Sequence, residues 1–447
     1  MRRLLGLFAM LAIFSPGCSR ETPDDGKLHL DYWEKWTRFE GEAMQRVVRA
    51  FNEKPERLQD RIVVHYVTVN GIDRKTLVAT AGGDPPDIVG LWSQNVAVFA
   101  DRGAVQPLDE YLERDGIGPD HWLPVFWGMC QYRGRTWAVP TGPSTSALLW
   151  NRAMFRDSAA ELRAAGLDPN RAPATVEELD RYAEVLTKRD GAGRIIQMGY
   201  LPQEPDWFVW AYGMWWGGWP FHDGRITANC PENVDAMRWV QSYSRKYGLE
   251  AIEKFASGFG NFASAQNAFF CGKMAMVIQG VWMHNFIAQY APGMEWGAAP
   301  WPKTPRGPAG FSAADADVLM IPRGVPAARA SAAWKFLRFA SSQEGMEILC
   351  LGQRKISALP QPSESFYANH SHPHVRLFAE LARSQGCVRR PSLGVWQQYE
   401  REWRWAFDQV RLLKGEPQAV LDVLQEKMQR IYDQHEASVA RRGAATD

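Results

Sequence analysis

The chain has little cysteine, no long apolar run after its first residues, and no surplus of charge of either sign. Six cysteines stand among 447 residues, and no two are at C-x-x-C spacing. That argues against a zinc ribbon or finger and against a thiol redox motif. Beyond Phe14 no segment is long and apolar enough to cross a bilayer as a helix. Fifty-one lysines and arginines meet 50 aspartates and glutamates, a formal charge of +1. Without a block of basic residues nothing offers a phosphate backbone a surface, so nucleic acid is not expected as a partner. Two catalytic signatures are missing as well. There is no G-x-x-x-x-G-K-[ST] loop to cradle a nucleotide and no G-x-S-x-G nucleophile elbow.

What is present begins at the N-terminus. Arg2 and Arg3 precede Leu4 to Phe14, about eleven apolar residues, enough for a signal segment and too few to span a membrane. Ser15-Pro16-Gly17-Cys18 follows and resembles the bacterial lipoprotein box, departing from it at Ser15, where leucine is usual. Residues 1–18 are therefore read as a signal peptide, with Cys18 as the lipidation site. Export to the periplasm or cell surface and tethering to the membrane are the consequences. The remaining cysteines, Cys130, Cys230, Cys271, Cys350 and Cys387, are an odd set, expected as mostly buried free thiols. An exported protein would permit a disulfide, whose partners the sequence does not fix.

Tryptophan is the compositional surplus. The chain has 20, and Trp207, Trp210, Trp215, Trp216 and Trp219 crowd one short stretch, interleaved with Gly213, Gly217 and Gly218. An indole buries a large flat area and carries one N–H donor, which suits either a packed core or the C–H face of a sugar ring. Both readings stay open for each residue.

Patterning gives alternating strands and helices. Leu28 to Trp33 is a strand. Phe39, Ala43, Met44, Val47, Val48 and Phe51 recur at helical spacing, and Asn52 to Pro55 stops that helix. Arg61 to Val69 and Asp87 to Leu91 are further strands, the latter after the turn at Gly82 to Pro86. Strand, helix, strand, helix, strand points to an α/β sheet whose ligands gather at the carboxyl ends of its strands. That places Trp33, Glu34 and Trp36, and Trp92, Ser93 and Gln94, by one crevice. Further along, Thr175-Val176-Glu177-Glu178 is a capping box opening a helix with Val176, Leu179, Ala183 and Leu186 on one face.

Several blocks in order carry a family likeness. LLWNRAMF, AAGLDP and ATVEEL in the middle, AGGDPPDIV (81–89) before them, and FFCGKMAMVIQGVW (269–282), WGAAPWP (296–302) and ARASAAWKFLRFASSQEGMEIL (328–349) after them resemble family 1 of the bacterial extracellular solute-binding proteins. The resemblance implies a two-lobed periplasmic-binding-protein fold, class II in type. Each lobe would be a mostly parallel sheet flanked by helices, with a ligand cleft between lobes. Residues 27–139 and 276–313 are expected as lobe one, 140–275 and 314–447 as lobe two, with crossings near 139–141, 273–277 and 311–318. Ala419 to Tyr432 reads as a closing helix.

The implied function is capture and delivery, with no catalysis and no cofactor. A carbohydrate, mono- or oligosaccharide, would be enclosed by hinge closure and handed to the transmembrane permease subunits of an ABC importer by a monomeric binding protein. Shifting such a hinge from 1:99 to 99:1 needs roughly 5.5 kcal/mol of preference for the closed form. Expected ligand contacts are Trp33, Glu34 and Trp36; Trp92 and Gln94; Trp282 and Trp301, flanking a crossing; Trp215, Trp216 and Trp219 from lobe two; Asp315 and Asp317 by the last crossing; and Arg354 past the late helix pair. Three rivals remain. An exported hydrolase could use Glu34 with Asp315 or Asp317 as an acid and base pair. A receptor for polyols, glycerol phosphates or polyamines would share the plan. A metal receptor could use His370, His372 and His374, although Pro373 interrupts them and a solvated loop is the expected reading there.

Overall fold

The computed structural model describes residues 25–204 and 206–443, so Cys18 and the signal segment lie outside the described residues. Among the described residues eight strands form one sheet: β1 (Leu28–Glu34), β2 (Ile62–Thr68), β3 (Ile88–Trp92), β4 (Val139–Asn151), β5 (Met276–Gly280), β6 (Trp296–Ala299), β7 (Ser312–Met320) and β8 (Cys387–Val388). Their order is β5-β4-β7-β3-β1-β2, with β6 also on β4 and β8 on β7. β1 runs parallel to β2 and β3, as the strand–helix–strand beginning requires. β7 is antiparallel to β3 and β4, and β5 and β6 are antiparallel to β4. The sheet is therefore mixed and continuous rather than two mostly parallel sheets. The long strands β4 and β7 run against each other, each with side chains in both large cores.

Helix α1 (Arg38–Asn52) forms because Ala43, Met44, Val47, Val48 and Phe51 bury one stripe of it. Helix α2 (Val176–Leu186) begins at Thr175, whose side-chain oxygen accepts from Glu178 N. Its Glu178 carboxylate reaches back one residue further than a capping box predicts, accepting from Ala174 N at 2.8 Å. Later come α3 (Ala327–Ala340), α4 (Gln343–Gln353), α5 (Trp396–Arg411) and α6 (Pro417–Gly443).

Two large cores divide the chain. One gathers Leu30, Tyr32, Met44, Phe51, Phe336, Leu337, Leu349 and Phe378. The other gathers Leu148, Phe155, Tyr182, Trp215, Met237, Trp396, Trp403 and Leu424. Alternate side chains of β4 serve both, Ala147 and Leu149 the first, Leu148 and Trp150 the second. This packing differs from the expected assignment of 314–447 to lobe two. Helices α3 and α4 lie with α1, because Phe336 meets Tyr32 at 5.4 Å and Phe51 at 5.3 Å between ring centres. Only the chain from about Val388 onward joins the second core.

All five described cysteines are free thiols, Cys130 and Cys350 buried and Cys271 exposed. The histidine segment also departs from a solvated loop. His372 is 2% exposed, and its ring centre lies 4.7 Å from that of His284. Main-chain groups hold this turn, with His372 N donating to His370 Nδ1 and His374 N to His372 Nδ1. Among the described residues no group of three or more His, Cys, Asp or Glu is placed to hold a metal ion.

Candidate functional site

At the carboxyl ends of β1 and β3, beside β7, lies a cavity of about 660 Å³. That volume is typical of small-molecule sites. Trp36, Trp92, Gln94, Trp282, Asp315 and Asp317 line it, all among the residues expected from sequence. Trp36 sits in the tight link from β1 to α1 and is 6% exposed, whereas Trp92, ending β3, is 42% exposed.

Two backbone features admit these groups. On β4 the ladder shifts register between the Asp315–Ser144 and Asp317–Thr141 pairs, leaving one extra residue on β4. Gly142 falls there at φ 47°. A Cβ on it would stand 2.8 Å from Asp317 Oδ2 and 3.1 Å from the Trp36 ring, so the indole closes down only on a glycine. Gly90 makes the same allowance for the Glu34 carboxylate.

Beneath the indoles runs a chain of ionic groups. Tyr32 donates its hydroxyl to Glu34 Oε2 at 2.6 Å. Lys35 Nζ lies 3.0 Å from Glu34 Oε1 and 2.8 Å from Asp317 Oδ1. Lys355 Nζ lies 3.7 Å from Asp317 Oδ2 and 3.2 Å from Glu40 Oε1. Burial raises the pKa of Glu34 and, separately, that of Asp317. Burial alone would lower Lys35, but Asp317 and Glu34 outweigh it and hold the ammonium charged. Both lysines also approach the Trp36 ring, at 4.7 Å and 5.3 Å. Across the cavity Arg390 Nη1 meets Asp315 Oδ2 at 2.9 Å, and its Nη2 meets Glu400 Oε1 at 3.4 Å. Ser93 donates to Asp315 Oδ1 at 3.0 Å. Arg404 is held by Asp206 at 2.7 Å. Every charged residue lining the cavity thus has an ion-pair partner, which leaves apolar faces and hydrogen-bonding edges to meet a ligand. The Gln94 Oε1 atom is buried there with no hydrogen-bond partner among the described residues.

Seven expected contacts lie elsewhere. Glu34 is fully buried under the floor, consumed by Tyr32 and Lys35. Trp33, on the opposite face of β1 by strand alternation, packs on the Val69 and Leu91 cluster. Trp215 donates its indole N–H to Pro302 O at 2.6 Å and Trp301 to Ser146 Oγ at 3.1 Å, both inside the second core. Trp216 packs against the second core, near Trp239. Trp219 is 48% exposed and lines a different cavity. Arg354 ends α4 in the left-handed conformation, its guanidinium on Asn285 Oδ1 at 3.2 Å. Its neighbour Lys355 reaches the cleft instead. Sequence reasoning missed Lys35, Glu40, Lys355, Arg390, Glu400 and Arg404. Lys35 alone carried a signal, standing between the predicted Glu34 and Trp36.

The family model described as bacterial extracellular solute-binding protein matches residues 38–347. A binding protein of Brucella abortus (strain 2308) is 23% identical over 421 residues, covering 93% of this chain and 95% of its own. The maltotriose-binding protein of Pyrococcus abyssi (strain GE5 / Orsay) is 22% identical over 293 residues, covering 64% of this chain and 57% of its own. Among solved structures, CpMnBP1 with mannobiose bound aligns at TM-score 0.76 and 26% identity, over 90% of this chain and 99% of that one.

Proposed function

The chain belongs to the bacterial extracellular solute-binding proteins, and from that premise we propose that it captures a neutral oligosaccharide in the Trp36–Trp92–Trp282 cavity. The two cores move as lobes about the β4 and β7 crossings, and closure brings the walls onto the sugar. The loaded monomer then docks on the transmembrane subunits of an ABC importer, tethered beforehand through lipid on Cys18.

One observation carries the reading: indoles surround a cavity whose lysines, arginines and carboxylates are already paired with one another. Sugar hydroxyls can bond to the edges of such pairs while C–H faces stack on the rings. A phosphate or carboxylate ligand would have to displace a resident carboxylate from its cation, and a polyamine the reverse, so both are disfavoured. The family supports binding rather than hydrolysis, and Asp315 and Asp317, the carboxylates a hydrolase would use, are each paired with a cation.

Calorimetric titration of the chain from Ser19 onward tests this. Mannobiose, mannotriose or maltotriose should give saturable one-to-one binding, and glycerol 3-phosphate and spermidine should not. Tight binding of glycerol 3-phosphate with no response to any oligosaccharide would overturn the reading. For the anchor, Cys18→Ser should move the protein from the membrane to the soluble fraction, and unchanged membrane association would contradict lipidation.

A further inference from the structure

A second cavity, of about 770 Å³, opens beyond Arg390, a residue that lines both it and the cleft. Its walls come from both cores. Leu123 and Val125 face it from the first, and Trp219 and Phe221 from the side of the second. No carboxylate lines it among the described residues, but Arg383 and Arg389 do. The contrast with the cleft is sharp, since there each cation has its carboxylate.

Arg389 is half-buried and donates to neutral oxygens, the Arg390 carbonyl at 3.2 Å and Ser392 Oγ at 3.0 Å. Arg383 likewise donates to the Ala379 and Pro360 carbonyls, at 2.8 Å and 2.9 Å. Burial lowers the pKa of Arg389, with only the Cys130 thiol acting the other way. A partly desolvated guanidinium without a counter-ion is unfavourable, and an anion arriving beside it relieves that strain. A guanidinium fork holds a carboxylate bidentately, and an exposed indole next to a phenyl ring receives a flat apolar body.

We infer that this rear cavity is a second binding site, for a small organic anion with a flat apolar body such as an arylalkyl carboxylate. Arg389 takes the carboxylate, and Trp219 and Phe221 take the ring. The site is separate from the cleft, although Arg390 lines both.

The probe is 3-phenylpropionate, titrated calorimetrically into the chain from Ser19 onward, with neutral 3-phenylpropanamide as the comparison. The carboxylate should bind saturably, at one per chain and at least tenfold more tightly than the amide. Arg389→Gln and Trp219→Ala should each weaken it at least tenfold, and Trp92→Ala in the cleft should leave it unchanged. Trp219 is about half exposed and belongs to neither large core, so its alanine variant should keep the fold and decides the matter even if Arg389→Gln does not. Equal binding of acid and amide, no saturable binding to folded protein, or loss on Trp92→Ala would each overturn the site.

Discussion

Trp92 and Trp36 face the same cavity from different depths, and the difference separates binding from stability. Trp92 is 42% exposed, so Trp92→Ala removes a stacking surface without opening a core. Oligosaccharide affinity should fall about tenfold or more, roughly 1.4 kcal/mol, with the melting temperature unchanged. Trp36 is 6% exposed and wedged over Gly142. Its alanine variant should lose affinity and also about 3–5 kcal/mol of stability, read by urea denaturation. Lys35 is a sharper case. It is the cation that faces Glu34 and shares Asp317 with Lys355. Lys35→Met leaves the buried Glu34 without its cation and Asp317 with Lys355, at 3.7 Å, and should cost about 3–5 kcal/mol. Adding Glu34→Gln should recover part of that loss, whereas strict additivity of the two would show that the pair is not coupled. These residues also mark what sequence can reveal. Trp36, Trp92 and Gln94 were legible because strand ends fix their place. Trp215 and Trp301 carry the same side chain, and their burial in the second core and indole hydrogen bonds to Pro302 and Ser146, which tertiary packing sets, separate core from cleft.

Among the elements, the first strand–helix–strand unit was readable almost residue by residue, since β1, α1 and the start of β2 alternate or repeat in burial and β3 is a short, continuously buried run. The turn at His370–His374 was not, because its burial depends on which helix covers it. Desolvation, then Arg354 and the neighbouring histidines His370 and His374, lower His284 to about 4. Desolvation and His284, His370 and His374 lower His372 to about 2. A histidine depressed in the folded state adds stability that is complete above its unfolded value near 6.5 and is lost as pH falls toward the folded value. Stability should therefore decline from about pH 6.5 down to 4 for His284, and on toward 2 for His372. Each group contributes at most about 1.4 kcal/mol per pH unit. His372→Phe, facing Trp296 and Phe378, should flatten that decline in thermal melts taken between pH 7 and 5. An unchanged slope would place the acid-sensitive groups elsewhere.

On the scale of the whole molecule, two cores share one sheet through β4 and β7, and the cleft opens where those strands pass between them. The late chain was the least legible part. Lys355 and Arg390 reach the cleft from aperiodic segments, and their direction is set by how α4 packs on α1 and α5 on the second core. Neither contact leaves a local pattern. A crystal structure of the chain with its tightest-binding oligosaccharide would show whether a neutral sugar lies in this cleft against indoles. Sugar rings should stack on Trp36, Trp92 or Trp282, with the Lys35–Asp317 and Arg390–Asp315 pairs intact. Sugar bound in the rear cavity or on the outer surface, or held by cations drawn away from their carboxylates, would contradict that placement.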